Sequence, residues 1–471
     1  MYLGLDLGTS SLKALLIDEA QTVVAEATAP LTVERPRSGW SEQDAETWPA
    51  ACEAAVTALG ADLSGVRAIG LAGHMHGATL IDRDDRPLRP CMLWNDTRAA
   101  DEAAVMDDVQ ARAITGNIVF PGFTAPKAEW VLRHEPETWD KVVRVLLPKD
   151  YLRLWLTGEA VSDMSDAAGT AWFHTGARDW SETMLGRQGL SRDHMPCLVE
   201  GSEVSAALRD DIADRLGLPR GTPVAGGAGD NAAAAMGTGA VAPGQGFVSL
   251  GTSGVLFVSS DTYNPHAETA LHTFCHAVPD RWHQMGVILS CTDSLEWAAR
   301  LTGQDAAALT GGELRAPGRP LFLPYLSGER TPHNDAEVRG TLLGVEHATD
   351  AAALGRAVME GVAYAIRDSF DALTAAGTPV DRLLAVGGGS RSEIWLRMIA
   401  TTLDMPLHVP ADGQFGAALG ACRLAMMADG ATDVAAAPPI DRVIEPKRSL
   451  MHAFADGHAR FRAAYAPTRT L

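Results

Sequence analysis

The chain has 471 residues, a formal net charge of −20 and a pI of about 5.1, with 46% hydrophobic and 21% charged residues. Such acidity leaves no basic field for a nucleic-acid backbone, and no stretch is long and apolar enough to span a bilayer. The length exceeds a single core and predicts two domains. A strand at Tyr2–Asp6 leads to the tight turn Gly8-Thr9-Ser10-Ser11 and a second apolar run, Leu12–Ile17. This is a β-hairpin tipped with small residues. Its tip has the make-up of a phosphate cradle: Gly8 admits close backbone approach, and Thr9 and Ser10 put hydroxyls beside N–H donors. Asp6 ends the strand, where a carboxylate tolerates phosphate only with a cation such as Mg²⁺ between them. An ordinary surface hairpin is the plain alternative for this motif alone.

Further along, Gln21–Leu31 reads as a strand, Asp44–Leu59 as a helix and Val66–Ala72 as a buried strand ending at Gly73-His74-Met75-His76-Gly77. Helices are expected over Ala99–Thr115 and Pro126–Glu135, and Thr222–Ala225 is a strand that runs into Gly226-Gly227-Ala228-Gly229-Asp230-Asn231. A boundary near Ala242–Gly244 divides residues 1–242 from 243–471. The second part opens by repeating the first hairpin, with Leu250-Gly251-Thr252-Ser253 answering Leu7-Gly8-Thr9-Ser10. Two such tips facing one cleft would clamp a polyphosphate. Strands at His272–Ala277 and Trp282–Met285, a long loop at Phe322–His333 and a long helix at Ala351–Ala375 follow. Leu383–Val386 is a strand entering Gly387-Gly388-Gly389, and helices are expected over Gly416–Ala428 and His452–Tyr465.

Among the polar residues, Asp230 stands out. It follows residues with little or no side chain and opens a helix, so its carboxylate has space in front of it. A carboxylate so placed can take the proton of an attacking hydroxyl in phosphoryl transfer; a helix N-cap is the alternative. The run Gly227–Ala232 also fits a dinucleotide fingerprint, but no acidic residue lies between Asp230 and Asp261 to bind a ribose. No GxxxxGK[ST] is present. His74 and His76 could bind a polyol, and Trp94, Asn95, Asp96 and Arg98 group an aromatic face with polar heads, as a sugar site needs. His272, Cys275, His276 and His283 match no standard zinc spacing. Six scattered cysteines without a CxxC pair fit free thiols in a reducing cytoplasm, and no signal-like run follows Met1.

With these residues in hand, the chain resembles the carbohydrate kinases of the FGGY type, within the actin-like ATPase superfamily, over nearly its whole length. The likeness is carried by Asp6–Ser10, Met75–Thr79, Leu93–Asp96, Pro121–Lys127, Leu147–Tyr151, Ser162–Thr170, Gly229–Asn231, Leu250–Gly254, Pro324–His333, Gly340–Gly344 and Ala357–Glu360. It implies an α/β fold of two actin-like (ribonuclease H-like) lobes, with mixed sheets flanked by helices around a central cleft. Residues 1–242 would bind sugar and 243–471 nucleotide. It implies transfer of the ATP γ-phosphoryl group to the 5-hydroxyl of D-xylulose, with ATP and Mg²⁺, in the cytoplasm. The partners are then a small sugar and ATP, with no nucleic acid and no membrane; a homodimer is left open. By the same resemblance Asp230 is the general base, and Asp6 and Asp230 hold Mg²⁺ through water. Met75, His76, Trp94, Asn95, Asp96 and Asp230 contact sugar, and Gly8, Thr9, Ser10, Thr252, Gly387 and Gly388 surround the nucleotide. A sister kinase for ribulose, gluconate or glycerol, and an actin-like ATPase, are the rival readings. Two departures stand out: Ala128 where the family has a large apolar residue, and His74 where members acting on xylulose commonly have glutamine.

Overall fold

The computed structural model describes residues 1–411 and 416–469. The first hairpin forms as expected, with β1 (Tyr2–Leu7) antiparallel to β2 (Ser11–Ile17). Leu3, Leu5 and Leu7 are fully buried, so alternate side chains fill the core below the tip. Adding β3 (Val23–Pro30), β4 (Ala68–Gly73), β5 (Val204–Ala207), β6 (Pro223–Ala225) and β7 (Ala228–Gly229) gives a seven-stranded sheet in the order β5-β6-β4-β1-β2-β3, with β7 paired to β4. Helix α1 (Thr47–Ala58) covers it, burying Trp48, Ala51, Cys52, Ala55 and Val56 at helical spacing.

The second sheet repeats the plan. Strands β8 (Gln245–Leu250) and β9 (Gly254–Ser260) form the second hairpin, joined by β10 (His272–Cys275), β11 (Trp282–Ile288), β12 (Arg382–Val386), β13 (Leu407–Pro410) and β14 (Ile440–Ile444). Their order is β10-β11-β9-β8-β12-β13-β14. In each sheet the hairpin's first strand pairs in parallel with a later strand, β1 with β4 and β8 with β12. The duplicated LGTS run thus marks a duplicated lobe, and the molecule has the two-lobed α/β architecture expected of the actin-like type.

Two helices join the halves. Helix α2 (Asp230–Thr238) leaves the first sheet, and α3 (Ala417–Ala428), far along the chain, packs against it and against β1 and β4. The contact is backbone to backbone. A Cβ on Gly70 would overlap the Ala421 carbonyl, and one on Gly420 the Ala233 carbonyl. A division of the chain at residues 242 and 243 therefore sends α3 to one half while its packing belongs to the other. A shared apolar cluster also bridges the lobes, joining Met75, Phe123 and Trp172 to Phe247, Phe257 and Phe274.

Local differences have local causes. The single helix expected over Ala99–Thr115 is two, Ala100–Met106 and Val109–Thr115. Asp108 breaks it by turning its carboxylate onto the Ala111 N–H at 2.7 Å, capping the second piece. Strand β14, outside the expected elements, closes the edge of the second sheet beside β13.

Candidate functional site

Two cavities lie between the lobes. The larger, about 880 Å³, is lined by Asn231, Ser249, Gly387, Ser390, Arg391 and Arg442 among others. The smaller, about 250 Å³, holds Met75, His76, Trp94, Asp230, Ser253 and Arg330, with Phe120, Phe123, Asn231 and His272. Asn231 lines both, which puts Asp230, its neighbour, at the junction.

Asp230 is the first residue of α2. Its Oδ1 accepts from the Asn231 N–H at 2.7 Å and the Asn231 amide at 2.9 Å, so it does not cap the helix in the usual way. Burial pushes its carboxyl up to about 6, against the pull of those two bonds. Asp6 is pushed up to about 7, first by burial and then by the negative charge of Asp230, with Lys13 acting the other way. Asp6 lines neither cavity, but two carboxylates that repel one another form a hard-oxygen pair that suits a divalent cation such as Mg²⁺.

The approach to Asp230 is rigid. The Gly229 N–H donates to Ser165 Oγ at 3.1 Å, and Ser165 donates to Asp163 Oδ2 at 2.5 Å. Asp163 in turn pairs with the fully buried Lys149 at 2.7 Å. Arg153 donates to the Gly226 carbonyl from the same buried network. The segment following Ser165 also holds His76, whose Nδ1 donates to the Gly169 carbonyl at 2.7 Å. His76 adopts a left-handed backbone at φ 69°, a conformation unfavourable to a side chain. Lys127 Nζ holds it there, donating to the His76 carbonyl at 2.9 Å and the Gly122 carbonyl at 2.6 Å. Burial, aided by Lys127, pulls His76 down to about 3, so the ring is neutral. With Nδ1–H committed to a carbonyl, Nε2 remains as an acceptor. The ring stacks on Phe123 at 4.7 Å.

Other expected residues divide. Trp94 lines the smaller cavity, and its Nε1 donates to Thr9 Oγ1 at 3.1 Å, tying the first hairpin tip to the sugar-sized space. Gly8 and Ser10 share that tip, where the Gly8 N–H donates to the Ser11 carbonyl. Gly387 lines the larger cavity; Gly388 beside it is exposed and outside the lining. Thr252 is exposed at the second tip, its carbonyl accepting from Cys291 N–H, while Ser253 next to it reaches the smaller cavity.

Asn95 and Asp96 stand apart from this set. Neither lines the cavity. Asp96 is fully buried, its carboxylate engaged by Arg98 at 2.6 and 2.9 Å and by the Ser41 N–H at 2.7 Å. Arg98 lies on the Trp40 ring at 3.5 Å, so the Trp-Asn-Asp run splits into one cavity wall and one structural ion pair. His74 also points away: it is buried edge-on to Trp48 at 6.0 Å and does not line the cavity. Ala128 is core, fully buried. Sequence reasoning passed over Phe120, Asn231, Ser253 and Arg330. Ser253 was visible in the repeat, and Arg330 stood in the conspicuous Phe322–His333 loop with no role assigned.

The sequence matches the profile of the FGGY family of carbohydrate kinases, N-terminal domain, over residues 1–237, and that of its C-terminal domain over 246–428. The chain belongs to the FGGY family of carbohydrate kinases. As an FGGY chain it is a phosphotransferase with a carbohydrate acceptor. It is 48% identical to a xylulose kinase of Escherichia coli (strain K12), over 100% of this chain and 97% of that one. It is 49% identical to a xylulose kinase of Klebsiella pneumoniae, over 91% and 90%. A crystal structure described as a xyloylose kinase from Brucella ovis superposes with a TM-score of 0.97 at 55% identity, covering 100% of this FGGY chain and 99% of that one.

Proposed function

We propose that this chain transfers the γ-phosphoryl group of ATP to the 5-hydroxyl of D-xylulose, giving D-xylulose 5-phosphate and ADP. The observation that carries this reading is the place of Asp230, at the junction of a small cavity with aromatic walls and a large open one. The volumes suit a small sugar in the first and a nucleotide in the second. Relatives named xylulose kinase, at 48% and 49% identity, support the choice of sugar.

Sugar bound against Met75, His76 and Trp94 would present its terminal hydroxyl to Asp230. Asp230 accepts the proton of that hydroxyl as its oxygen bonds to the γ-phosphorus. The bond from that phosphorus to the bridging oxygen of ADP breaks in line. His76, neutral and fixed by Gly169, offers Nε2 to a sugar hydroxyl. Trp94 covers an apolar face of the sugar. Gly387 and Ser390 lie where nucleotide would rest against bare backbone, with Arg391 and Arg442 beside them. Asp6 and Asp230 would hold Mg²⁺ through water; bound there, the ion supplies positive charge to the phosphate oxygens. Closure of the lobes would exclude water from the junction. Six free cysteines, five of them buried, suit a reducing cytoplasm.

The test is ADP release by the purified chain with ATP and Mg²⁺ against pentuloses, pentitols and glycerol. D-Xylulose should stimulate release most strongly. Hydrolysis indifferent to every sugar would reject the reading.

A further inference from the structure

Arg330 reaches the smaller cavity from the opposite lobe to His76. It is held in place at its backbone. Its N–H donates to Glu329 Oε1 at 2.8 Å, and the same oxygen accepts from the Leu289 N–H at 3.0 Å. Next to it, Thr331 Oγ1 donates to the Ala270 carbonyl at 3.1 Å and accepts from the Val287 N–H at 3.0 Å. The guanidinium lies 4.4 Å from the centre of the Phe120 ring, and Nη1 donates to His272 Nε2 at 3.2 Å. Among the described residues no carboxylate forms an ion pair with its guanidinium; the neighbouring Glu329 acts on it electrostatically, but burial pushes that carboxyl up to about 8. A guanidinium has five N–H donors and no acceptor, so most of this fork is left for a ligand. A charge withdrawn from water with only one neutral hydrogen-bond partner is costly, which gives a bound oxygen at this spot unusual weight.

The position of Arg330 says which oxygen. Asp230 adjoins Asn231, which borders the nucleotide-sized cavity. Arg330, Phe120 and His272 line the smaller cavity alone. A five-carbon sugar that offers carbon 5 to Asp230 extends its carbons 1 and 2 toward this far wall. We propose that Arg330 binds the carbonyl oxygen at carbon 2 of an open-chain ketose and makes the site select a ketose over the corresponding polyol. The inference rests on the reading of the site given above. The chemistry matches: a carbonyl only accepts and a guanidinium only donates. His76 Nε2 can take the proton of the hydroxyl on carbon 1. A hydroxyl at carbon 2, as in a pentitol, brings one more proton, and His272 Nε2 is already engaged by Arg330. That proton is left without an acceptor, and an unpaired polar group in a closed site weakens binding.

The test compares kcat/KM for D-xylulose with that for its two carbon-2 reduction products, xylitol and D-arabinitol, in the wild type, Arg330→Gln and Arg330→Lys. The wild type should favour the ketose. Arg330→Gln should lower kcat/KM for the ketose by roughly 10- to 100-fold, with the pentitols changed much less and the KM for ATP within about twofold. Arg330→Lys, which keeps the charge without the fork, should fall between. Calorimetric titration of D-xylulose into each variant without ATP provides a second readout, and ATP binding checks that each variant is folded. A wild type inactive on every pentulose overturns the kinase reading and this inference together. An active wild type whose Arg330→Gln and Arg330→Lys variants keep the ketose-to-pentitol ratio within twofold overturns the inference alone, as does an equal loss on ketose and pentitol.

Discussion

The two hairpins have one backbone plan and two chemistries. In the first, the residue before Leu7-Gly8 is Asp6; in the second, the residue before Leu250-Gly251 is Ser249. Both strands pair with their neighbours in the same way, β1 with β2 and β4, β8 with β9 and β12. Asp6 shares its field with Asp230, while Ser249 lines the larger cavity, next to Gly387 and Arg391. On the proposed reading, the first lobe carries a negative charge where a cation and an acceptor alcohol would be handled. The second has a hydroxyl where phosphate oxygens would lie close. The tips diverge too: Thr9 is hydrogen bonded to Trp94, and the Thr252 carbonyl is tied to the start of the helix Thr292–Thr302.

Exchanging those residues breaks the comparison most sharply. Asp6→Ser should lower kcat by roughly 10²-fold and raise the Mg²⁺ concentration needed for half-maximal rate, read by Mg²⁺ titration at saturating substrates. Ser249→Asp should raise the KM for ATP by about tenfold through like-charge repulsion, leaving the KM for sugar near the wild-type value. A variant with unchanged ATP affinity would show that the hydroxyl is not near phosphate.

The acidic pair also predicts a pH limb. Burial raises the Asp230 carboxyl to about 6, so the base is ionised above that pH and protonated below it. Activity should therefore fall as pH drops through about 6, roughly tenfold per unit in kcat/KM for sugar. A rate flat down to pH 4.5 would remove Asp230 as the proton acceptor. Asp6, pushed up to about 7, loses its charge over the same range and adds to the limb, whereas His76, pulled down to about 3, contributes no change in that window.

Much of this was legible in the chain. The hairpins announce themselves because Gly-Thr-Ser tips stand between apolar runs, and their repetition exposes the duplicated lobe. Helix Ala351–Ala375 is legible from its spacing and from Asp350, whose carboxylate caps it at 2.8 Å. Asp230 is legible because small residues crowd round it. What stayed hidden depends on partners distant in sequence. Asp96 reads as a sugar contact in the sequence because the Ser41 N–H that closes over its carboxylate comes from 55 residues away. Arg330 joins the wall of Phe120 and His272 only through the folding of a separate lobe. Helix α3 looks like part of the second half, but its Gly and Ala face fits the first sheet. His74 sits directly beside Met75 and His76, yet its side chain turns to Trp48. The smallest expected effect follows: His74→Gln should leave the sugar KM within about twofold, and a larger shift in Michaelis–Menten kinetics would return position 74 to the site.

Asp230→Asn, followed by single-turnover phosphorylation of D-xylulose and calorimetric titration of the sugar, addresses the centre of the account. Sugar affinity should stay within a few-fold of wild type while the rate of transfer falls by roughly 10²-fold or more. Near-normal transfer in that variant would contradict the assignment of Asp230 as the group that takes the proton.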